Sequence, residues 1–285
     1  MNDFLEQVVA ERRADVERAK AHMPAGKLTP PEARTVRVQG TDLYGRPQPH
    51  IFSESPGLFE MALRIRPGRL AVIAEVKRRS PAAGALGETI DVGSLAAYYM
   101  AAGAAAISVL TEPRHWGGSI EDLVAVREAV DIPILCKDVI VDEYQLVEAR
   151  AAGADAVLLI AEALDDATLR HLIESARSLG LGVLVEAHES AAFGRAVAAG
   201  APVVGVNARD LRRPTEIDIG RVRQLHTFAR REQILVAESG IASVDDARLL
   251  PARVNAVLIG TALMRADDPA PLIRGIASIG RTVHA

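Results

Sequence analysis

The amino-acid order predicts an α/β protein built as one (β/α)8 TIM barrel with an N-terminal helical extension. Three observations carry that prediction. From Leu70 onward, short apolar segments rich in β-branched residues alternate eight times with Ala-rich amphipathic segments, the pattern of parallel strands joined by helices. Glycines stand just before several strands, at Gly103, Gly153, Gly180 and Gly200, where a left-handed residue closes the preceding helix. The first strand is not followed by Gly-x-Gly-x-x-Gly, which an open dinucleotide-binding sheet would normally carry. A chain of 285 residues is the right size for one such barrel.

Taken in order, Asp3 to His22 place Phe4, Leu5, Val8, Val9, Val16 and Ala19 at helical spacing, and Pro24-Ala25-Gly26 ends the run. Residues 24 to about 55 are rich in proline, glycine and polar groups and read as an extended connector or lid, with a turn at Thr41 to Pro47. Ser55-Pro56 then cap a short helix through Phe59, Met61, Ala62 and Leu63, closed by Pro67-Gly68. Residues 1–69 are thus a helix, a connector and a short helix packing on the barrel, and 70–285 are the barrel, one domain overall. The expected strands are 71–77, 105–110, 133–137, 155–160, 182–186, 203–207, 234–238 and 255–260. The helices between and after them are 93–102, 119–130, 142–152, 165–179, 189–199, 218–229, 243–250 and 269–278.

Composition narrows the function classes. Apolar residues at 49% and charged ones at 25% are the mixture of a globular core with a solvated surface. A net charge of -4 supplies no basic field, so neither nucleic acid nor an acidic membrane is an expected partner. The first residues lack a basic region followed by an apolar run, and no apolar stretch is long enough to span a bilayer, which predicts a cytoplasmic protein. Cys136 is the single cysteine, and His115, His171, His188 and His226 lack ligand spacing, so no metal site is expected.

In a barrel of this kind the chemistry sits at the C-terminal ends of the strands. Side chains alternate along a strand, so Ile73, Glu75 and Lys77 share one face while Val72, Ala74 and Val76 share the other. The third strand ends in Lys137, on the face of Leu135 and opposite Cys136. The fifth ends in Glu186, the sixth in Asn207 and the seventh in Glu238-Ser239-Gly240. One such ending would be a helix cap or a structural ion pair; five of eight on one rim point to acid/base chemistry. The lysines reinforce this, because only four of the 33 basic residues are lysine and two of those are Lys77 and Lys137. Arginine stays charged near neutral pH, whereas a lysine can have its pKa lowered and pass a proton.

A second signal follows the last two strands. Ser239-Gly240-Ile241 and Gly260-Thr261-Ala262 lie where free backbone N–H groups can cradle a phosphate. Arg209, two residues after Asn207, is either a surface arginine or an anion clamp at the same mouth.

These motifs together resemble the indole-3-glycerol phosphate synthase family. The resemblance spans the barrel and the N-terminal helix, and rests on Ile73-Ala74-Glu75-Val76-Lys77-Arg78-Arg79-Ser80-Pro81, Ser108 to Glu112, Ile134 to Val141, Leu184-Val185-Glu186, Gly205 to Leu211 and Ala237 to Ile241. It implies a cofactor-free ring closure of a small phosphorylated substrate, a carboxyphenylamino-deoxyribulose phosphate, with loss of carbon dioxide and water. It further implies Lys137 as general acid on the ketone and Lys77 with Glu186 as the acid/base set of the dehydration. Glu75, Asn207, Glu238 and Ser239 would hold the substrate and the charged groups. Ser80, Arg209, Gly240, Gly260 and Thr261 would bind anions, and Trp116, Leu158 and Leu184 would wall the anthranilate pocket. The chain departs from the family at Val139, where an aromatic residue is common, and at Ala82-Ala83, where polar residues are common. A related isomerase would need a Cys/Asp pair at the rim, and a non-catalytic barrel would have lost a proton-transfer residue; neither pattern is present. Nothing in the sequence sets an oligomeric state.

Overall fold

Eight parallel strands close into a barrel in the computed structural model, which describes residues 3–29, 35–41, 47–53, 57–64, 68–87 and 89–281. The chain opens with α1 (Phe4–His22), whose N-terminus is capped by the Asp3 carboxylate accepting from Leu5 and Glu6. A 3-10 turn at Ala25–Lys27 follows. The connector, read in sequence as an extended connector or lid, forms an antiparallel ribbon, β1 (Thr35–Thr41) with β2 (Pro47–Ser53). Pro47 and Pro49 argue against a strand, but in a two-stranded ribbon both strands are edges, where a missing N–H is tolerated. Residues 42–46 of the expected turn, the Ser55-Pro56 cap and Pro67 lie outside the described residues.

Helix α2 (Leu58–Arg64) lies across the N-terminal end of the barrel, where Gly182 leaves room for it: a Cβ there would stand 3.2 Å from Phe59 Cβ. The barrel begins with β3 (Ala71–Val76), followed by the small ribbon β4 (Arg79–Ser80) and β5 (Gly84–Ala85), too short to show any period in sequence. Then come α3 (Val92–Ala101), β6 (Ala106–Leu110), α4 (Ile120–Ala129), β7 (Ile134–Lys137), α5 (Glu143–Ala151), β8 (Ala156–Ile160) and α6 (Asp166–Ser178). The second half runs β9 (Gly182–Ala187), α7 (Ser190–Ala198), β10 (Val203–Asn207), α8 (Gly220–Leu225), β11 (Ile234–Glu238), α9 (Val244–Arg248), β12 (Ala256–Ile259), α10 (Thr261–Arg265) and α11 (Ala270–Ala277). Pairing of β12 with β3 closes the cylinder.

Two expectations shift. The helix foreseen over 218–229 is only α8 and a 3-10 turn, because the Asp218 carboxylate binds the Gly220 N–H and makes a turn of the first residues. The short α10, directly after β12, was not foreseen.

Alternation along the strands sorts the core into two layers. Val72, Ala74 and Val76 pack outward against the helices, while Ala71 and Ile73 fill the barrel with Leu135, Leu158 and Leu184. Asp91, Ser119, Asp142, Asp165 and Ser243 cap α3, α4, α5, α6 and α9, so most helices start where a side-chain acceptor is available. Helix α1 crosses the C-terminal rim, held by a two-point Arg12–Asp138 pair at 2.9 and 2.8 Å. No helix among the described residues is long and apolar enough to cross a membrane.

Candidate active site

The inward face of β3 runs Ile73, Glu75 and then Lys77 just past its end. Glu75 Oε1 and Lys77 Nζ meet at 2.7 Å. Gly260 makes the space for them, since a Cβ at that position would lie 2.1 Å from Glu75 Oε1 and 2.9 Å from Lys77 Nζ.

Across the mouth, β7 delivers Lys137, whose ammonium lies 3.1 Å from Glu186 Oε2 and 3.7 Å from Glu238 Oε2. Burial alone draws the lysine pKa down, but Glu186, Glu238 and Glu75 outweigh it and hold the group above the ordinary lysine range. The lowered pKa that the sequence allowed is therefore reversed by three carboxylates. Asn207 donates to Glu186 Oε2 at 3.4 Å and accepts the Arg209 N–H at 2.9 Å, so its amide orientation is held from both ends.

Glu238 is enclosed beneath this layer. Its oxygens receive no hydrogen bond among the described residues, and a Cβ on Gly205 would stand 2.1 Å from Oε1. Burial, then repulsion from Glu186, pushes its pKa well above the carboxylate range, and the protonated form can donate to Glu186. The site thus sets a carboxyl group that holds its proton more tightly than an ordinary carboxylate beside an ammonium that does the same. Cys136, on the other face of β7, is buried against the helices and its thiol is pushed up to about 12 by burial and by Asp138.

Two chambers open on this rim. The first, about 590 Å³, is lined by the polar Lys137, Glu186 and Asn207 and by the apolar Trp116, Val139, Leu158 and Ile160. The second, about 1010 Å³, is bordered by Gly240, Gly260, Thr261 and Ala82-Ala83. Lys77, Arg209 and Ser239 border both, so they form the partition. Ser239 takes a left-handed φ of 65°, unusual for a side chain with a Cβ, and Gly240 follows at 76°, which turns the chain sharply after β11. Burial lowers the Arg209 pKa, and its guanidinium donates to the Pro214 carbonyl.

Most residues singled out in sequence converge here. Ser80 lines the first chamber alone, whereas Gly240, Gly260 and Thr261 line the second and Arg209 borders both. Glu75 and Glu238 lie under the floor, and Leu184 is packed inside the barrel beside Gly205. Sequence reasoning missed Leu110, Glu112, Asp138, Leu211 and Pro214 on the cleft wall. Leu110 and Glu112 were open to the strand-end test, because β6 also ends at this rim. Leu211 and Pro214 belong to an irregular loop with no periodic signal.

The family model described as "Indole-3-glycerol phosphate synthase" matches residues 5–276. A protein of that name from Nocardioides sp. is 53% identical over 210 residues, 73% of this chain and 80% of the relative. "Indole-3-glycerol phosphate synthase 2" from Streptomyces coelicolor is 39% identical over 277 residues, 97% of this chain and 99% of the relative. Among solved structures, thiamine phosphate pyrophosphorylase from Pyrococcus furiosus shares the fold with a TM-score of 0.55 at 18% identity, covering 74% of this chain and 96% of that one.

Proposed function

The chain belongs to the indole-3-glycerol phosphate synthase family, and on that premise we propose how its own residues divide the reaction. The protein is a carboxy-lyase of tryptophan biosynthesis that closes the indole ring of 1-(2-carboxyphenylamino)-1-deoxyribulose 5-phosphate, releasing carbon dioxide and water. Its phosphate occupies the second chamber at Arg209, Gly240, Gly260 and Thr261, where backbone N–H groups and a guanidinium suit an anion. Its aromatic ring lies against Trp116, Val139 and Leu158 in the first.

Lys137 then gives a proton to the ketone oxygen as the ring carbon bearing the carboxylate attacks the ketone carbon. Loss of carbon dioxide restores the aromatic ring and leaves a hydroxyl on the new five-membered ring. Lys77 protonates that departing hydroxyl, and Glu186 takes the proton from the neighbouring carbon. Glu75 holds Lys77, Glu238 and Asn207 hold Lys137 and Glu186, and Ser239 closes the partition on the phosphate side. The enzyme works on this small phosphorylated molecule in the cytoplasm.

The observation that carries the reading is the Lys137 ammonium, set 3.1 Å from Glu186 in a cleft that Trp116, Val139, Leu158 and Ile160 also line. An acid kept charged among carboxylates beside an apolar ring site suits protonation of a ketone next to an aromatic nucleophile. The test is an indole-fluorescence assay on the purified protein with this substrate. Growth of the product signal is expected, and a silent assay with folded protein would overturn the reading.

A further inference from the structure

Glu112 belongs to neither the acid/base set nor the phosphate chamber, yet it is a buried carboxylate, 1% exposed, on the wall of the first cleft. Its position follows from a tight turn. After β6 ends at Leu110 the chain doubles back through Gly117 and Gly118 before Ser119 caps α4. Gly118 is required there, because a Cβ would lie 2.1 Å from the Leu110 carbonyl oxygen.

Inside that turn the Glu112 side chain folds back on its own loop. Oε1 accepts the N–H of Arg114 at 3.0 Å, and Oε2 accepts those of His115 at 2.7 Å and Trp116 at 3.0 Å. Three donors on one carboxylate offset the cost of burying it, and they hold the backbone of three consecutive residues. The last of these is Trp116, whose side chain lines the cleft and whose carbonyl accepts the Arg79 N–H at 3.1 Å, next to Ser80. Helix α1 braces the same turn from outside through Glu11–His115 at 2.7 Å and Phe4 against both rings, but those contacts hold side chains and not the backbone.

We propose that Glu112 is a positioning residue for the ring-closure reaction: its carboxylate holds the 112–118 turn so that Trp116 walls the aromatic side of the cleft. It touches no reacting atom and acts through Trp116. This rests on the family's reaction for its consequence in turnover, but not for its effect on the turn.

Trp116 is the only tryptophan in the chain, so its fluorescence reads the turn directly. Glu112→Ala should raise acrylamide quenching of the ligand-free protein roughly twofold and red-shift the emission, while far-UV circular dichroism stays that of the folded barrel. With substrate, KM should rise about tenfold and kcat should fall less, since ring placement is lost and the acid/base set is not. Glu112→Gln keeps an acceptor for His115 and Trp116 and should recover most of both effects. Unchanged quenching and unchanged KM in a folded Glu112→Ala would overturn the proposal, as would a loss confined to kcat. If the alanine variant does not fold, the glutamine variant decides on the same readouts, with partial shifts supporting the role and none rejecting it. Quenching needs no substrate, so an inactive wild-type protein would count against the assigned reaction alone.

Discussion

Glu75 on β3 and Lys77 just past its end meet as a 2.7 Å ion pair against the bare backbone of Gly260, the residue after β12. The close approach is possible only because residue 260 has no Cβ. It ties the partition between the chambers to a glycine far along the chain.

Gly260→Ala is therefore expected to displace the pair, since its Cβ would need the space within 2.1 Å of Glu75 Oε1. The barrel should survive with a loss of about 1–3 kcal/mol in stability, typical of overpacking. Activity should fall about 10- to 100-fold, because the displaced lysine borders both chambers. Denaturant melts and steady-state kinetics on one preparation separate the two effects.

Lys137→Ala should lower kcat by about a thousandfold while leaving the affinity for a product analogue within about threefold. An active variant would remove Lys137 from the acid role. Lys77→Arg keeps the charge but replaces the ammonium with a guanidinium, which does not give up its proton near neutral pH. It should lose about a hundredfold in kcat if Lys77 protonates the leaving hydroxyl. Near-normal turnover would show that charge alone matters there.

Glu238 makes stability depend on pH in a direction opposite to an ordinary paired carboxylate. Its folded pKa is raised by burial and by Glu186, so between the ordinary carboxylate range and that raised value the folded chain binds a proton that the unfolded chain has released. Stability is lost as pH rises through that window. Glu238→Gln, a neutral isostere, should match the wild type in acid and become the more stable of the two as pH rises. Thermal melts from pH 4 upward would show it, and parallel curves would contradict it.

Arg12→Ala should cost about 3–5 kcal/mol, because it leaves the buried Asp138 carboxylate without its cation. Thr111 and the Val139 N–H would still bind Asp138, at 2.8 and 2.7 Å, so the fold should persist. Asp138 adjoins Lys137, so kcat should fall with stability. An unfolding curve together with kcat tests both, and an unchanged melt would assign α1 no part in holding this rim.

What could be read along the chain was what local chemistry repeats. Strand alternation put Glu75 and Lys77 inward and Cys136 outward, and the structure keeps both. Strand ends named most of the rim, and the scarcity of lysine marked Lys77 and Lys137. The β1–β2 ribbon escaped because its prolines read as breakers, and α10 because five residues hold no period. Contacts across the barrel are a different matter. Lys137 reaches Glu186 over 49 positions and Arg12 reaches Asp138 over 126, distances set only when the strand register closes the cylinder. Residue order determined the alternation and the kinds of group at each strand end. Closure decided which of them touch, that Glu238 lies desolvated below the others, and that Glu112 turns inward onto its own loop, because burial and pairing belong to the packed whole and not to any window of sequence.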